Sequence, residues 1–420
     1  MSASPPSQEA TGSTHPNHTM APAADIRRLG MAEFITLLAF LFATVAFSID
    51  AMLPALPEIA HDLTPQDPNR AQLILTAFMA GMGIGTLISG PLSDAIGRKA
   101  TITLGFAIYI LAALAAIYAP SLEVLLLCRM AQGIGAAGPR IAGLALVRDL
   151  YAGREMARIS SFVMMVFIMI PAFAPLLGDA IISAVGWRHS FLSFVVFALI
   201  GAIWLNLRQP ETLPSERRRK LSLTALWFAA REVLTDRQVV ICTLVLTLGF
   251  AQMFALLSSA QQLFSDTYGI RDDFPKWFAL MALLAGTGSI INAQLVVRLG
   301  MRRIARAAYV MQIVSSTIFT LLLLSDVLPD ALRFPMFFIW SVSVFFMAGI
   351  TFGNLNALAL QRMGHIAGMT ASITASVSTL LAVLIAAPIG LAYNGTPIPM
   401  AVATLICSSL AWAMMGLLRD

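Results

Sequence analysis

Twelve apolar runs, each close to 20 residues or somewhat longer and separated by short charged or Pro/Gly-rich segments, occupy most of this 420-residue chain. A helix rising 1.5 Å per residue crosses a hydrocarbon core of roughly 30 Å in about that length. The runs fall near 34–56, 71–91, 100–119, 122–148, 157–184, 188–207, 238–264, 276–297, 304–325, 333–360, 365–390 and 396–418. A spanning barrel would instead show short alternating segments. With 58% hydrophobic and 12% charged residues and a mean hydropathy of +0.81, the chain has too little polar surface for a water-soluble globule. The expected fold class is therefore an all-α integral membrane protein with twelve transmembrane helices, arranged as two six-helix bundles.

The division follows from charge. Residues 208–237 hold Arg208, Arg217, Arg218, Arg219, Lys220, Arg231 and Arg237, and read as a basic linker between bundles at 31–207 and 238–420. Positive charge marks the cytoplasmic side. Alternating spans put 20 of the 27 basic residues on the linker's side, five on the other, and Arg129 and Arg140 within the fourth span. Both termini are then expected to be cytoplasmic. Residues 1–30, polar and without a signal-like apolar core, read as a disordered cytoplasmic tail. Residues 216–236, charged and then apolar, have the pattern of an amphipathic helix lying on the inner leaflet.

Of the acids, Asp50 and Asp179 stand inside apolar spans, eight residues before Glu58 and nine before Arg188. A charge facing lipid at that depth costs about 2.5 kcal/mol or more, so both are expected to face a cavity or a partner. An acid caught between apolar surroundings and a nearby cation can hold and release a proton. The fourth span supplies the cations: Arg129 and Arg140 lie eleven residues apart, on one helical face about 16 Å from each other, with Gln132 near that face. The competing reading is a static buried pair that only positions helices. Asp179 reads equally as an interfacial acid, and Arg140 as one that snorkels.

Gln261 and Gln262, near Phe264 and Tyr268 at the end of the seventh span, are the expected substrate contacts. Gln252, Asn292, Gln312, Asn354 and Asn356 read mainly as helix bridges, and Met253, Phe254 and Trp340 as packing that a substrate pocket could also use. Cys128, Cys242 and Cys407 are isolated small core residues, and His15, His18, His61, His189 and His365 fall in the tail or loops, so no metal set forms. There is no phosphate-binding G-x-x-x-x-G-K-[ST] and no nucleophile-with-base set, so the chain reads as neither an ATPase nor another enzyme. The basic residues sit between spans and form no nucleic-acid face.

Gly90 to Lys99, reading GPLSDAIGRK, is a polar elbow between two spans. Gly90, Leu92, Asp94, Gly97, Arg98 and Lys99 match G-x-L-x-D-x-x-G-R-K, and the chain in this respect resembles the major facilitator superfamily. Arg129, Gln132, Gly133 and Gly135 in RMAQGIGAAG match the fourth-helix R-x-x-Q-G-x-G-A of its proton-linked members. Asp50 with Pro54 resembles the D-x-x-x-P of drug:proton antiporters of the bicyclomycin/chloramphenicol-resistance type. The fifth-span antiporter signature is kept only at Pro175 and Gly178, with Ile170, Ala174 and Asp179 where glycines would stand. The resemblance implies a twelve-helix exchanger in which Asp50 couples to protons, Arg129 lies in the cavity, and Asp94 and Arg98 gate the cytoplasmic side. A weak second copy of the elbow, AQLVVRLGMR at residues 293–302, aligns Gly300 with Gly97 but has Val297 in place of Asp94. The gate is therefore expected to be asymmetric.

The expectation is a monomeric exporter in a bacterial inner membrane. It would exchange protons for small, largely apolar or amphipathic compounds and need no cofactor beyond the proton gradient. The alternatives are a proton-coupled transporter of a specific metabolite (siderophore, sugar or organic acid) and a non-transporting membrane sensor.

Overall fold

The computed structural model describes residues 29–218, 221–325 and 327–418. Most of the predicted tail, with His15, His18, Arg27 and Arg28, lies outside the described residues, as do Arg219, Lys220 and Arg419. The described residues are helical apart from short turns and connections.

The first four long helices are α1 (Met31–Asp50), α2 (Leu73–Ile96), α3 (Arg98–Ile117) and α4 (Leu122–Leu150). The run Gly153–Arg208 divides at Gly186, whose φ of 73° and ψ of 165° are not helical, into α5 (153–185) and α6 (187–208). A linker helix, Leu223–Thr235, precedes α7 (Arg237–Gln262), which runs on into a π turn at Leu263–Thr267. Then follow α8 (Phe274–Leu299), α9 (Met301–Ser325), α10 (Asp330–Leu360), α11 (Ala367–Leu391) and α12 (Ile398–Gly416).

Among the described residues, ten helices are long and apolar enough to cross a membrane by themselves, with the stretch Met169–Arg208 counted once. Helix α4 is not one of the ten, because Arg129, Gln132, Arg140, Arg148 and Asp149 dilute its apolar character. It packs instead against α1, α2 and α3. The helix least suited to lipid thus sits where other helices cover it.

Glycines make that placement close. A Cβ built at Gly133 would stand 2.7 Å from the Met82 backbone nitrogen on α2, and one at Gly135 would stand 2.7 Å from the Tyr109 nitrogen on α3. The glycines of the fourth-helix motif are therefore packing residues that let helix backbones touch. Its arginine and glutamine are what they bring into position. In the second half, α7 packs on α10, α11 and α12. The halves meet where α11 lies along α2 and where the Gly153–Arg208 run meets α8. Ser376 Oγ donates to the Gly83 carbonyl at 2.7 Å across the first of these seams.

Helix α1 ends at Asp50 and does not continue to residue 56. Pro54 has no N–H for the Asp50 carbonyl four residues back, so the α-helical ladder cannot run through it. The chain goes on as a 3-10 turn, Leu53–Ala55, and a short helix, Leu56–Leu63. A depth counted from Glu58 at 1.5 Å per residue therefore does not apply to Asp50.

Of the polar side chains expected to bridge helices, Gln252, Asn292, Gln312 and Asn354 do so, whereas Asn356 Nδ2 donates to the Phe352 carbonyl of its own helix at 2.9 Å. Gln312 Nε2 and Trp340 Nε1 both donate to Ser316 Oγ, at 3.1 and 3.0 Å, joining α9 to α10. Asn354 Nδ2 donates to Asn292 Oδ1 at 2.7 Å between α10 and α8, and Ser408 Oγ donates to Gln252 Oε1 at 3.0 Å between α12 and α7.

Candidate functional site

The last helical bond of α1 runs from Ala51 N–H to the Phe47 carbonyl at 3.0 Å. The next carbonyl, that of Ser48, is left by the helix break for another donor. Arg129 Nη2 supplies it at 2.8 Å, while Arg129 Nη1 donates to Gln132 Oε1 at 2.8 Å. A guanidinium at a helix C-terminus also complements the negative end of the helix dipole. The guanidinium carbon stands 4.6 Å from the Phe78 ring centroid and 6.0 Å from that of Phe194, and Arg129 is fully buried. Tyr109 O–H donates to Ser48 Oγ at 2.5 Å, and Ser48 Oγ in turn donates to the Thr44 carbonyl at 2.5 Å.

Asp50 lies two residues beyond this grip, 5% exposed, and takes part in no hydrogen bond or ion pair among the described residues. Two buried donors of the same site, Arg129 Nε and Gln132 Nε2, also lack acceptors. The site thus holds an unpaired acid and two unused donors on neighbouring helices. Arg140, eleven residues along α4, is half-buried, and among the described residues it too has no hydrogen-bond or ion-pair partner.

Pro175 is buried, and Gly178 brings α5 against the break after α1, a Cβ there standing 2.8 Å from the Ala51 carbonyl carbon. Asp179, the next residue, is exposed and makes no contact with the Arg129 network. The three-helix charge cluster of Asp50, Arg129 and Asp179 is therefore not assembled as ion pairs.

On the side away from the linker, a polar ladder joins the halves. Gln72 Nε2 donates to Gln262 Oε1 at 2.6 Å, Ser259 Oγ to Gln72 Oε1 at 2.6 Å, and Gln262 Nε2 to Asn69 Oδ1 at 2.8 Å. Asn69 Nδ2 donates onward to the Tyr393 carbonyl at 2.9 Å. Gln262 is thus a latch residue, paired across the seam. Gln261, 3% exposed, lines a cleft of about 620 Å³ shared by the two halves with Glu58, Asp62, Asp266 and Arg271. Asn69 and Gln72 were not distinguishable in the sequence from ordinary polar loop residues.

The Gly97 elbow is built on the linker side. Gly97 takes φ 106° and ψ 162°, open to glycine and strained for other residues, and Gly300 repeats the bend at φ 81° and ψ 149°. The Glu211 carboxylate receives the Arg98 and Lys99 backbone N–H groups at 3.0 and 3.1 Å, satisfying the first donors of α3. Arg98 Nη1 donates to Asp94 Oδ1 at 2.5 Å and Arg98 Nε to Asp149 Oδ2 at 2.9 Å. Asp94 and Asp149 thus hold this guanidinium by charge-assisted bonds at two of its nitrogens. Lys99 Nζ donates to the Asn206 carbonyl at 2.9 Å, and Gly90 faces Ser372 at the start of α11.

These ion pairs stay within the first half. The surroundings of the two elbows differ: a Cβ at Gly97 would run into Glu211, whereas nothing lies within 4 Å of one at Gly300. Glu211 and Asp149 went unrecognised in the sequence. The available signal was an α3 start without its own capping side chain, followed much later by an acid beside Pro210. Glu211→Ala is expected to lower stability by about 2 kcal/mol through loss of charge-assisted bonds to two helix N–H groups. Glu211→Gln should fall between it and the parent. Thermal unfolding in detergent checks this, and an unchanged midpoint for the alanine variant would refute the cap.

A two-bundle helical membrane protein, with a buried arginine on its fourth helix and a glycine elbow repeated between its second and third and its eighth and ninth helices, has the architecture of a secondary transporter. The chain belongs to the Major Facilitator Superfamily, whose sequence profile matches residues 37–387. It is 28% identical to the uncharacterized MFS-type transporter YdgK of Bacillus subtilis over 403 residues, covering 94% of this chain and 96% of that protein. It is 29% identical to the bicyclomycin resistance protein homolog of Haemophilus influenzae, covering 81% of this chain and 84% of that one. The solved xylose transporter XylE from E. coli shares the fold, with a TM-score of 0.71 at 12% identity over 93% of this chain and 98% of that one. The protein is accordingly a multi-pass membrane transporter of small molecules, not an enzyme, and works without a resident cofactor.

Proposed function

We propose that the protein is a proton-coupled exporter of small, largely apolar or amphipathic compounds, working by alternating access. The observation that carries the reading is Asp50: a buried acid without a partner, two residues from a carbonyl held by Arg129. An unpaired carboxylate is costly there, so Asp50 keeps a proton until water or a cation reaches it. Once ionised, it competes with the Ser48 carbonyl for Arg129. The break between α1 and the Leu53–Ala55 turn is the element free to move in response. The likeness to a bicyclomycin resistance protein homolog supports a drug-like cargo. Gln132 and Arg140 lie along the cargo path, and Gln261 and Gln262 at its far end. Asp179 takes an auxiliary place beside the Gly178 contact.

The 20 basic residues on the linker side support a cytoplasmic position for that side in a bacterial inner membrane, and the proposal has the bundles divided at residues 208–237 and the protein working as a monomer. The closed Asn69–Gln72–Gln262 latch then faces outward, and the state is one shut to the outside. Asp94 and Arg98 serve the opposite gate. A second reading, export or import of an anionic metabolite, is favoured by the unpaired guanidinium of Arg140.

The test is proton release from purified protein in weakly buffered detergent as compounds are added. Release with neutral or amphipathic drugs such as chloramphenicol or bicyclomycin is the expected result. Release with organic anions alone would favour the second reading, and release with no compound would overturn both.

A further inference from the structure

The cleft that Gln261 lines lies between the halves on the side away from the linker, and at about 620 Å³ it has room for a drug-sized molecule. Its buried floor has Gln72, Ser258 and Gln261 as polar members. Its rim carries the exposed side chains of Glu58 and Asp62 from the first half and of Asp266 and Arg271 from the second. Pro57, Pro65 and Pro68 add apolar wall. Gln72 and Gln262, the pair that closes the latch, are themselves part of the lining.

Gln261 is 3% exposed, its Oε1 is buried without a donor, and its amide makes no hydrogen bond among the described residues. A buried amide left unmet is costly, and a ligand that supplies the missing partner removes that cost. Turning the amide over presents either its carbonyl or its NH₂ group to the cleft. The rim adds charge. Asp62 accepts from Trp187 Nε1 at 2.8 Å and lies 3.2 Å from His61 Nδ1, and Asp266 accepts from Ser265 Oγ at 2.7 Å. The side chains of Glu58 and Arg271 have no hydrogen-bond or ion-pair partner among the described residues. Three carboxylates against one guanidinium, with His61 turned to Asp62, leave the rim negative.

We infer that this cleft binds an organic cation, an apolar body bearing an amidinium or protonated amine, and that its occupancy holds the outer side shut. The negative rim draws a cation in, and an N–H of that cation meets the Gln261 carbonyl that no group of the protein satisfies. The proline-lined wall takes the apolar body. An anion would face three carboxylates for one guanidinium. Opening the outer side must part Gln72 from Gln262 and so split the cleft, and an occupant that touches both halves is lost with it. By linkage such an occupant favours the shut state. It therefore acts as a brake from the outer face, at a place remote from Asp50 and Arg129. Binding needs no assumption about cargo or protons, whereas the brake rests on the alternating access proposed above.

The probe is p-aminobenzamidine, an amidinium whose fluorescence rises when it leaves water, added to full-length protein in detergent. The component displaced by excess benzamidine counts as bound. Benzamide and benzoate, neutral and anionic molecules of nearly the same shape, are expected to displace it about tenfold less well or worse. Glu58→Gln/Asp266→Asn should weaken binding about fivefold, and Gln261→Leu about tenfold. Equal displacement by benzamide would overturn the preference for a cation. Unchanged binding in both variants would remove the site from this cleft. In proteoliposomes of known orientation, with a cargo that releases protons in the test above, benzamidine on the face away from the linker should lower the maximal rate and leave the cargo KM unchanged. Equal inhibition from both faces, or a raised KM alone, would overturn the brake. Variant-sensitive binding by a protein that exports nothing would support the site while overturning the proposed export.

Discussion

Asp50→Asn is expected to abolish transport driven by a pH gradient, bringing proteoliposomes to the level of empty vesicles, while cargo exchange with no gradient continues. Asparagine has nearly the shape of aspartic acid but cannot ionise, so it fixes the site in a neutral form. Proton binding and release at this position then cease. The substitution should leave the fold intact, because the Asp50 side chain makes no hydrogen bond or ion pair that asparagine would forfeit. Exchange tests this directly, since it requires the cargo to cross but no net proton movement. Undiminished gradient-driven transport in a folded Asp50→Asn protein would remove Asp50 from the coupling mechanism. Loss of exchange as well would show that Asp50 is needed for movement or cargo binding and is not specific to coupling.

What could be read from the sequence follows physical range. The spans were legible because a membrane imposes a length on each apolar run. The elbow at Gly97 was legible because its conformation demands glycine, and the same demand recurs at Gly300. Arg129 and Asp50 stood out because ionisable groups are costly inside a bilayer. Their mutual geometry did not follow, since it turns on helix rotation and on a break whose cause, Pro54, is visible while its outcome is not. The arginine binds the carbonyl that the break leaves open, not the acid next to it. Gln262 illustrates a second limit. A glutamine at a span end looks the same whether it faces cargo or pairs with Gln72, 190 residues away in the chain. Glu211, which completes the start of a helix more than 100 residues earlier, is a third such case.

The second large effect falls on Arg129, and three substitutions divide its functions. Arg129→Ala removes the donor to Ser48 and leaves that carbonyl and Gln132 unpaired in a buried site, at a cost of about 1–3 kcal/mol in stability. It also removes the charge that can draw Asp50 when Asp50 ionises. Arg129→Met keeps much of the volume and apolar contact, including packing on Phe78, but loses both the charge and the donors. Arg129→Lys keeps the charge but not the planar fork that reaches the Ser48 carbonyl and Gln132 Oε1 at once. If Arg129 acts by passing between the carbonyl and the acid, lysine should support slow gradient-driven transport, about tenfold below the parent for the loss of one charge-assisted bond of about 1.5 kcal/mol. Its pH profile should also be displaced from the parent's. Methionine should support none, although the protein should still fold and bind cargo. A static structural pair predicts a different order: transport would track thermal stability across the three variants, and the pH profile of the lysine variant would match the parent. Measuring initial rates against pH together with unfolding midpoints for all three separates the two accounts, and an unshifted profile for Arg129→Lys at full stability would rule out the switching role.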